Sequence, residues 1–190
     1  MQSINLIVED GTQPVGSNSY SSVADADAFH ALRANEAWPQ HTPEGEEPDP
    51  NMAAKVAALV KATDYLNSLD FYGRRAASGR VMAFPRLDCV DAEGFAITPD
   101  TVPDAVKQAC CALAGLIYAG TDAQGTLERG GRVQGEGVGS LSTNFFTDAA
   151  NRDVFAPVAD LLAHLVPSLE RFSGTGSNAP GKIFQGRVTL

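Results

Sequence analysis

The stretch PDAVKQACCALAGLIYAG, residues 103–120, decides the fold. Pro103 suits the first position of a helix, where its missing N–H costs nothing, and Asp104 sets a negative charge in the first turn, where the helix dipole favours it. Val106, Ala109, Cys110, Leu113, Ala114, Leu116 and Ile117 then make the segment apolar around much of its girth, and Gly120 ends it. A surface helix carries one apolar stripe, so this one is buried on more than one side. Either it is the central helix of a bundle, or another subunit covers it.

The neighbouring segments supply the rest of a bundle. Asn51 caps a helix through about Ser68, with Val56, Leu59, Val60, Thr63 and Leu66 at the helical period. Ser22-Val23-Ala24-Asp25 has the form of a capping box and opens a helix to about Asn35, with Val23, Ala26, Phe29 and Leu32 as its apolar side. Trp38-Pro39 ends that element. A last helix covers roughly 154–166, with Val158, Leu161, Leu162 and Leu165 on one face, and stops at Pro167. Between the last two helices, Val133-Gln134 and Leu141 to Phe145 flank glycines 135, 137 and 139, which reads as a β-hairpin with a glycine-rich bend. Residues 4–8 read as a short strand closed by Asp10-Gly11. The expected fold is mainly α, a four-helix bundle-like domain with a projecting β-hairpin near 131–147 and extended N- and C-terminal segments. The expected divisions are 1–18 (N-terminal strand), 19–172 (helical domain) and 173–190 (flexible linker and C-terminal docking tail).

Composition narrows the function. The 190 residues carry 23 Asp+Glu against 14 Lys+Arg, a net charge of −9. DNA affinity is largely phosphate neutralisation, so this body is unsuited to wrapping nucleic acid over its whole surface. An acidic wall still lets a duplex pass without sticking. Cys89, Cys110 and Cys111 are an odd count, and the adjacent pair cannot form a regular disulfide or share a metal, which favours reduced, buried thiols and a cytosolic folding environment. The N-terminus lacks the basic and long apolar regions of a signal peptide, and no apolar run reaches the length of a membrane span, so no membrane is expected.

Against the acidic background stands one basic segment. Arg74, Arg75, Arg80 and Arg86, four of the ten arginines, fall within thirteen residues that contain no acid. Guanidinium groups make planar, multi-donor contacts with carboxylate or phosphate, so the segment is either a contact surface or a loop whose arginines pair with the chain's own acids. Phe71, Tyr72 and Phe84 lie beside them and could stack bases or pack beneath the loop.

Catalytic patterns are missing. Gly135-Glu136-Gly137-Val138-Gly139 is followed by strand-like residues where a nucleotide-binding loop needs a helix. His30, His41 and His164 sit on separate elements without metal spacing, and His30 and His164 read as helix-surface or satisfied core residues. Glu44, Glu46, Glu47 and Asp49 lie in a proline-rich loop too loose to preorganise an acid–base pair, and read as solvated. No enzyme activity, cofactor or metal is expected. The final segment, Lys182-Ile183-Phe184-Gln185-Gly186-Arg187-Val188-Thr189-Leu190, alternates behind a linker-like stretch and suits docking on another chain's sheet edge or groove.

The ordered pattern Tyr20-Ser21-Ser22 with Asp25-Ala26-Asp27-Ala28-Phe29, Trp38, Ala58-Leu59-Val60-Lys61-Ala62-Thr63-Asp64-Tyr65-Leu66, Phe71-Tyr72-Gly73-Arg74-Arg75, Phe84-Pro85-Arg86, Gly94 and Pro103-Asp104-Ala105-Val106 resembles the head–tail adaptor (head completion) proteins of tailed bacteriophages, including members labelled DnaT-like single-stranded DNA-binding. The resemblance covers roughly residues 19–166, with Phe84 where the family more often has Trp. It implies a small helical, non-enzymatic virion protein made in the host cytoplasm. Such a protein forms a ring, typically of twelve subunits, at the head–tail interface. The ring would bind the portal protein, extend the channel for double-stranded DNA and offer a platform to the next stopper or tail protein. On that reading Arg74, Arg75, Arg80 and Arg86 contact acids of the adjacent subunit or the portal. Lys182, Ile183, Phe184 and Arg187 then dock the C-terminal segment. The alternative label implies a single-stranded DNA-binding module, which needs a positive groove with exposed aromatics.

Overall fold

α3 (Asp104–Tyr118) is the central element of a computed structural model that describes residues 5–41, 48–123, 133–136, 143–145 and 155–169. Around it lie α1 (Val23–Ala31), α2 (Met52–Asn67) and α4 (Ala156–Leu162), each in contact with it. Two antiparallel strand pairs complete a mainly α fold, β1 (Arg74–Arg75) with β2 (Arg86–Leu87) and β3 (Val133–Glu136) with β4 (Thr143–Phe145). Three helical neighbours explain why α3 is apolar nearly all round: Val106, Ala109, Cys110, Leu113 and Ala114 are buried by the chain itself. Of the two coverings left open by the sequence, the intramolecular one is realised. Cys89, Cys110 and Cys111 are all free and buried.

α1 begins with the expected capping box. The Asp25 amide donates to Ser22 Oγ at 3.1 Å, and the Ser22 amide donates to Asp25 Oδ2 at 3.1 Å. It ends at Ala31 rather than near Asn35, because Ala34 turns to φ 48° and the Asn35 amide returns to the His30 carbonyl. The buried face is also rotated from the expected one. Val23, Ala26 and His30 point inward, while Leu32 is 86% exposed and Phe29 lies half-buried under the Arg33 guanidinium. Gly115 makes room for this: a Cβ there would lie 2.5 Å from His30 Cε1.

α2 keeps its expected span and buries Val56, Leu59, Thr63 and Leu66, with Val60 half-buried. Asn51 stands at its start without a side-chain cap, and its Oδ1 instead accepts from Tyr118 Oη. α4 is half the expected length. After Leu162 the chain continues in turns, yet Leu165, Val166 and Leu169 stay buried, so the apolar face outlasts the helix. The 4–8 strand reduces, among the described residues, to an isolated bridge between Val8 and Ser19. What organises that region is Glu9, 2% exposed, whose carboxylate accepts from the Gly11 and Gln13 amides and from Ser17 Oγ. The hairpin forms where expected, pairing Val133 with Phe145 and Glu136 with Thr143, with an irregularity between Val133 and Gly135. The linker and docking tail (173–190), including Lys182, Ile183, Phe184 and Arg187, lie outside the described residues, as do Glu44, Glu46 and Glu47.

His30 is a satisfied core histidine. Its Nε2 lies 3.0 Å from the Cys111 carbonyl and must donate, while Nδ1, 3.0 Å from Asn35 Nδ2, must accept. That fixes the neutral tautomer, and burial lowers its pKa below the usual 6.5. The unfolded chain therefore takes up this proton first, and stability falls as pH drops from 6.5 toward the folded-state pKa. The urea midpoint should decline between pH 7.5 and 5.5, above the range in which Asp10 and Asp49, both lowered from 3.8, are protonated. His30→Gln should flatten that decline, and an unchanged slope would exclude His30 as its source.

Candidate functional site

The basic segment is built on the C-terminal end of α2. Tyr20, from before α1, anchors it: its Oη donates to Asn67 Oδ1 at 2.6 Å and accepts from the Ala83 and Phe84 amides. Phe71 and Phe84 are buried against each other, edge to face at 4.9 Å, with a cis peptide joining Phe84 to Pro85. Both rings therefore pack beneath the segment and offer no stacking surface. β1 and β2 pair Arg74 with Leu87 and Arg75 with Arg86. Gly73, at φ 72°, lets the strands meet, since a Cβ there would run into the Leu87 carbonyl oxygen.

The four arginines take separate roles. Arg86 is consumed internally. Its Nε donates to the Tyr72 carbonyl (2.8 Å), Nη2 to those of Phe71 (3.0 Å) and Gly73 (2.8 Å), and Nη1 to that of Ala83 (3.2 Å). One planar fork thus ties both arms of the segment together. Arg74 pairs with Asp88 at 3.2 Å, both side chains over 70% exposed, a contact worth little in water. Arg75 donates to the Arg80 carbonyl, and both arginines line a cleft of about 10 Å³ with Glu9 and Gln13. That cleft has room for about one water and none for a nucleobase.

Acids flank the segment closely. Asp70, Asp88, Asp91 and Glu93 balance the four arginines, so residues 70–93 are formally neutral. The same region displays apolar side chains: Tyr72, Val81, Val90 and Phe95 are 43%, 75%, 50% and 71% exposed. Cys89 is no nucleophile here. Its Sγ donates to the Tyr72 carbonyl, and burial pushes the thiol up from 9.0. Burial likewise pushes Cys111 up to about 12. Among the described residues no group of three His, Cys, Asp or Glu side chains could hold a metal, and no helix is long and apolar enough to cross a membrane.

A second charged cluster was not legible beforehand. Lys55 is fully buried, and its Nζ donates to Asp27 Oδ1 (2.8 Å) and Asp49 Oδ2 (2.7 Å). Trp38 Nε1 also donates to Asp27 Oδ1, at 2.6 Å, and the indole stacks on His30 at 4.7 Å. Burial alone would lower the Lys55 pKa, but the two carboxylates overcome it and raise it above 10.5. Burial likewise opposes ionisation of Asp49, and the Lys55 contact still lowers it below 3.8. Asp49 is therefore a structural ion-pair partner, contrary to its expected place among solvated loop acids. The cluster ties α1, α2 and the chain entering α2 into one unit.

Fold and segment together define a small, mainly helical protein with an arginine-bearing segment at one end of a central helix pair. The chain belongs to the family described as “Putative DnaT-like ssDNA binding protein”, whose model matches residues 4–187. Neither the curated proteins nor the solved structures give a significant match to it.

Proposed function

We propose that this chain is a structural assembly subunit. Its finer identity on this reading is a ring-forming head–tail adaptor of a tailed bacteriophage, which binds the portal, extends the DNA channel and receives the next stopper or tail protein. The observation that carries the reading is the composition of the basic segment. Exposed arginines stand among exposed Tyr72, Val81, Val90 and Phe95 on a stretch whose charges cancel. Arginine with aromatic and aliphatic side chains is the chemistry of protein interfaces. A phosphate-binding face needs a surplus of positive charge, which this stretch lacks. The role is non-enzymatic, uses no cofactor, and leaves double-stranded DNA to pass without sequence-specific contact.

Arg75 and Arg80 carry the test, because Arg86 belongs to the fold. Arg75→Glu/Arg80→Glu should leave the helical content and melting temperature near wild type. Its incorporation into phage particles should drop about a hundredfold, since like-charge contacts at an interface cost several kcal/mol and each 1.4 kcal/mol is tenfold. Particles carrying normal amounts of the variant would refute the reading.

A second reading, a single-stranded DNA-binding module, is favoured by the description of the family. Fluorescence anisotropy with a labelled single-stranded oligonucleotide at physiological salt separates the two. Tight binding abolished by Arg75→Glu/Arg80→Glu would establish the second reading, and binding weak enough to vanish at that salt supports assembly.

A further inference from the structure

We infer that copies of this chain bind one another by seating the acidic hairpin 90–96 of one copy on the arginine loop 74–86 of another. The inference deepens the assembly reading above, on which it rests, and names the partner as a second copy.

Both halves of the contact grow from one stretch of backbone. Arg86 and Leu87 pair back with Arg75 and Arg74. Further on, Val90 pairs forward with Ala96, the Asp91 amide donates to the Phe95 carbonyl, and the Ile97 amide donates to that of Cys89. Cys89, buried between the two pairings, is the root of two arms. The first arm, within 71–86, holds four arginines and no acid. Residues 87–106 then hold Asp88, Asp91, Glu93, Asp100 and Asp104 and no base. The sign of the charge switches where the arms part.

The hairpin is preformed for contact. Asp91 Oδ1 accepts from the Glu93 amide (3.0 Å) and the Phe95 amide (2.8 Å), and Gly94 turns the chain at φ 90°. A turn fixed in advance loses little entropy on docking. Every residue from 90 to 96 except Asp91 is exposed, with Phe95 at 71%. That ring leaves most of its surface in water, apolar area that a partner gains by covering.

Charge selects the occupant. Arg86 is held by carbonyls and Arg74 by Asp88. Arg75 donates to the Arg80 carbonyl, which leaves its charge without a carboxylate. None of the four ion pairs among the described residues includes Arg75, Arg80, Asp91 or Glu93. Glu9 lines the cleft beside the two arginines, but its buried carboxylate accepts from the Gly11 and Gln13 amides and Ser17 Oγ. The two arms therefore do not neutralise each other within one molecule. A foreign acidic ligand would use the arginine loop alone, whereas a second copy uses loop and hairpin together. Val81, 75% exposed beside Arg80, gives Phe95 an apolar counterpart. Bodies of charge −9 repel at long range, but at physiological salt the screening length is about 8 Å and local charges decide.

Sedimentation velocity at physiological ionic strength tests this with two full-length variants, Arg75→Glu/Arg80→Glu and Ala92→Lys/Glu93→Lys. The second changes exposed turn residues and spares Asp91, which holds the turn. Wild type should form oligomers that molar salt weakens. Each variant alone should associate about a hundredfold more weakly, because like charges then face each other. An equimolar mixture should restore the wild-type oligomers, since the reversed loop of one variant meets the reversed hairpin of the other. Such rescue also shows that both variants are folded. A hairpin variant that assembles as wild type does, or a mixture that stays dissociated, overturns the pairing and leaves the assembly reading standing. A wild type that remains monomeric overturns the contact between copies, and incorporation of the unmutated chain into phage particles then judges the assembly reading separately.

Discussion

Lys55→Met should lower the free energy of unfolding by about 3–5 kcal/mol, the range for breaking a buried ion pair by removing one partner. Methionine fills nearly the same space, so the loss comes from charge and not from a cavity. Asp49, its side chain only 5% exposed, loses the Lys55 ammonium and keeps the Asn51 amide, while Asp27, 29% exposed, keeps Trp38 Nε1. The double variant Lys55→Met/Asp49→Leu should recover most of that loss, because replacing both members by apolar groups removes the stranded charge. Urea unfolding followed by tryptophan fluorescence measures both, since Trp38 is the single tryptophan and sits inside the cluster. If Lys55→Met costs under about 1 kcal/mol, the value typical of exposed pairs, the cluster is not the fastening it is taken to be.

This cluster also shows where sequence reading stops. Periodicity found α2 and α3 because burying apolar side chains at a 3.6-residue spacing leaves a direct trace in the chain. The Ser22–Asp25 capping box was legible because both partners are local. Lys55 left no such trace. Its position on the inner face of α2 reads as a charged residue at a helix start, and its partners lie 28 and 6 residues away in sequence. His30 turned the face of α1 for a similar reason: the space it occupies is created by Gly115 on another helix. α4 shortened because an apolar period specifies which side chains are buried and not whether the backbone between them stays helical. Of the candidate interface, the grouping of arginines was visible, but the division of labour among them was not. Arg86 is held by backbone carbonyls, which carry no sequence signature, and the balancing acids stand just outside the acid-free window.

Arg86→Ala should destabilise the chain by about 2–4 kcal/mol, because hydrogen bonds from a charged donor contribute roughly 1.5–3 kcal/mol each and solvent can replace part of four of them. Arg86→Lys should recover little, since one ammonium on a flexible stem cannot copy a planar fork that reaches carbonyls on both arms. Arg75→Glu, one residue from β1's other arginine, should change stability by no more than about 0.5 kcal/mol, as for most surface substitutions. Urea midpoints of the three variants therefore divide one basic segment into an arginine that holds the fold and one whose exposed side chain contributes little to it. The division matters for function. A loss of assembly in an Arg86 variant would follow from collapse of the loop and would say nothing about contact. The same loss in Arg75→Glu, with the midpoint unchanged, locates the contact itself. If Arg86→Ala leaves the midpoint where it is, the four carbonyl contacts are not holding the arms together, and Arg86 returns to the set of arginines available to a partner.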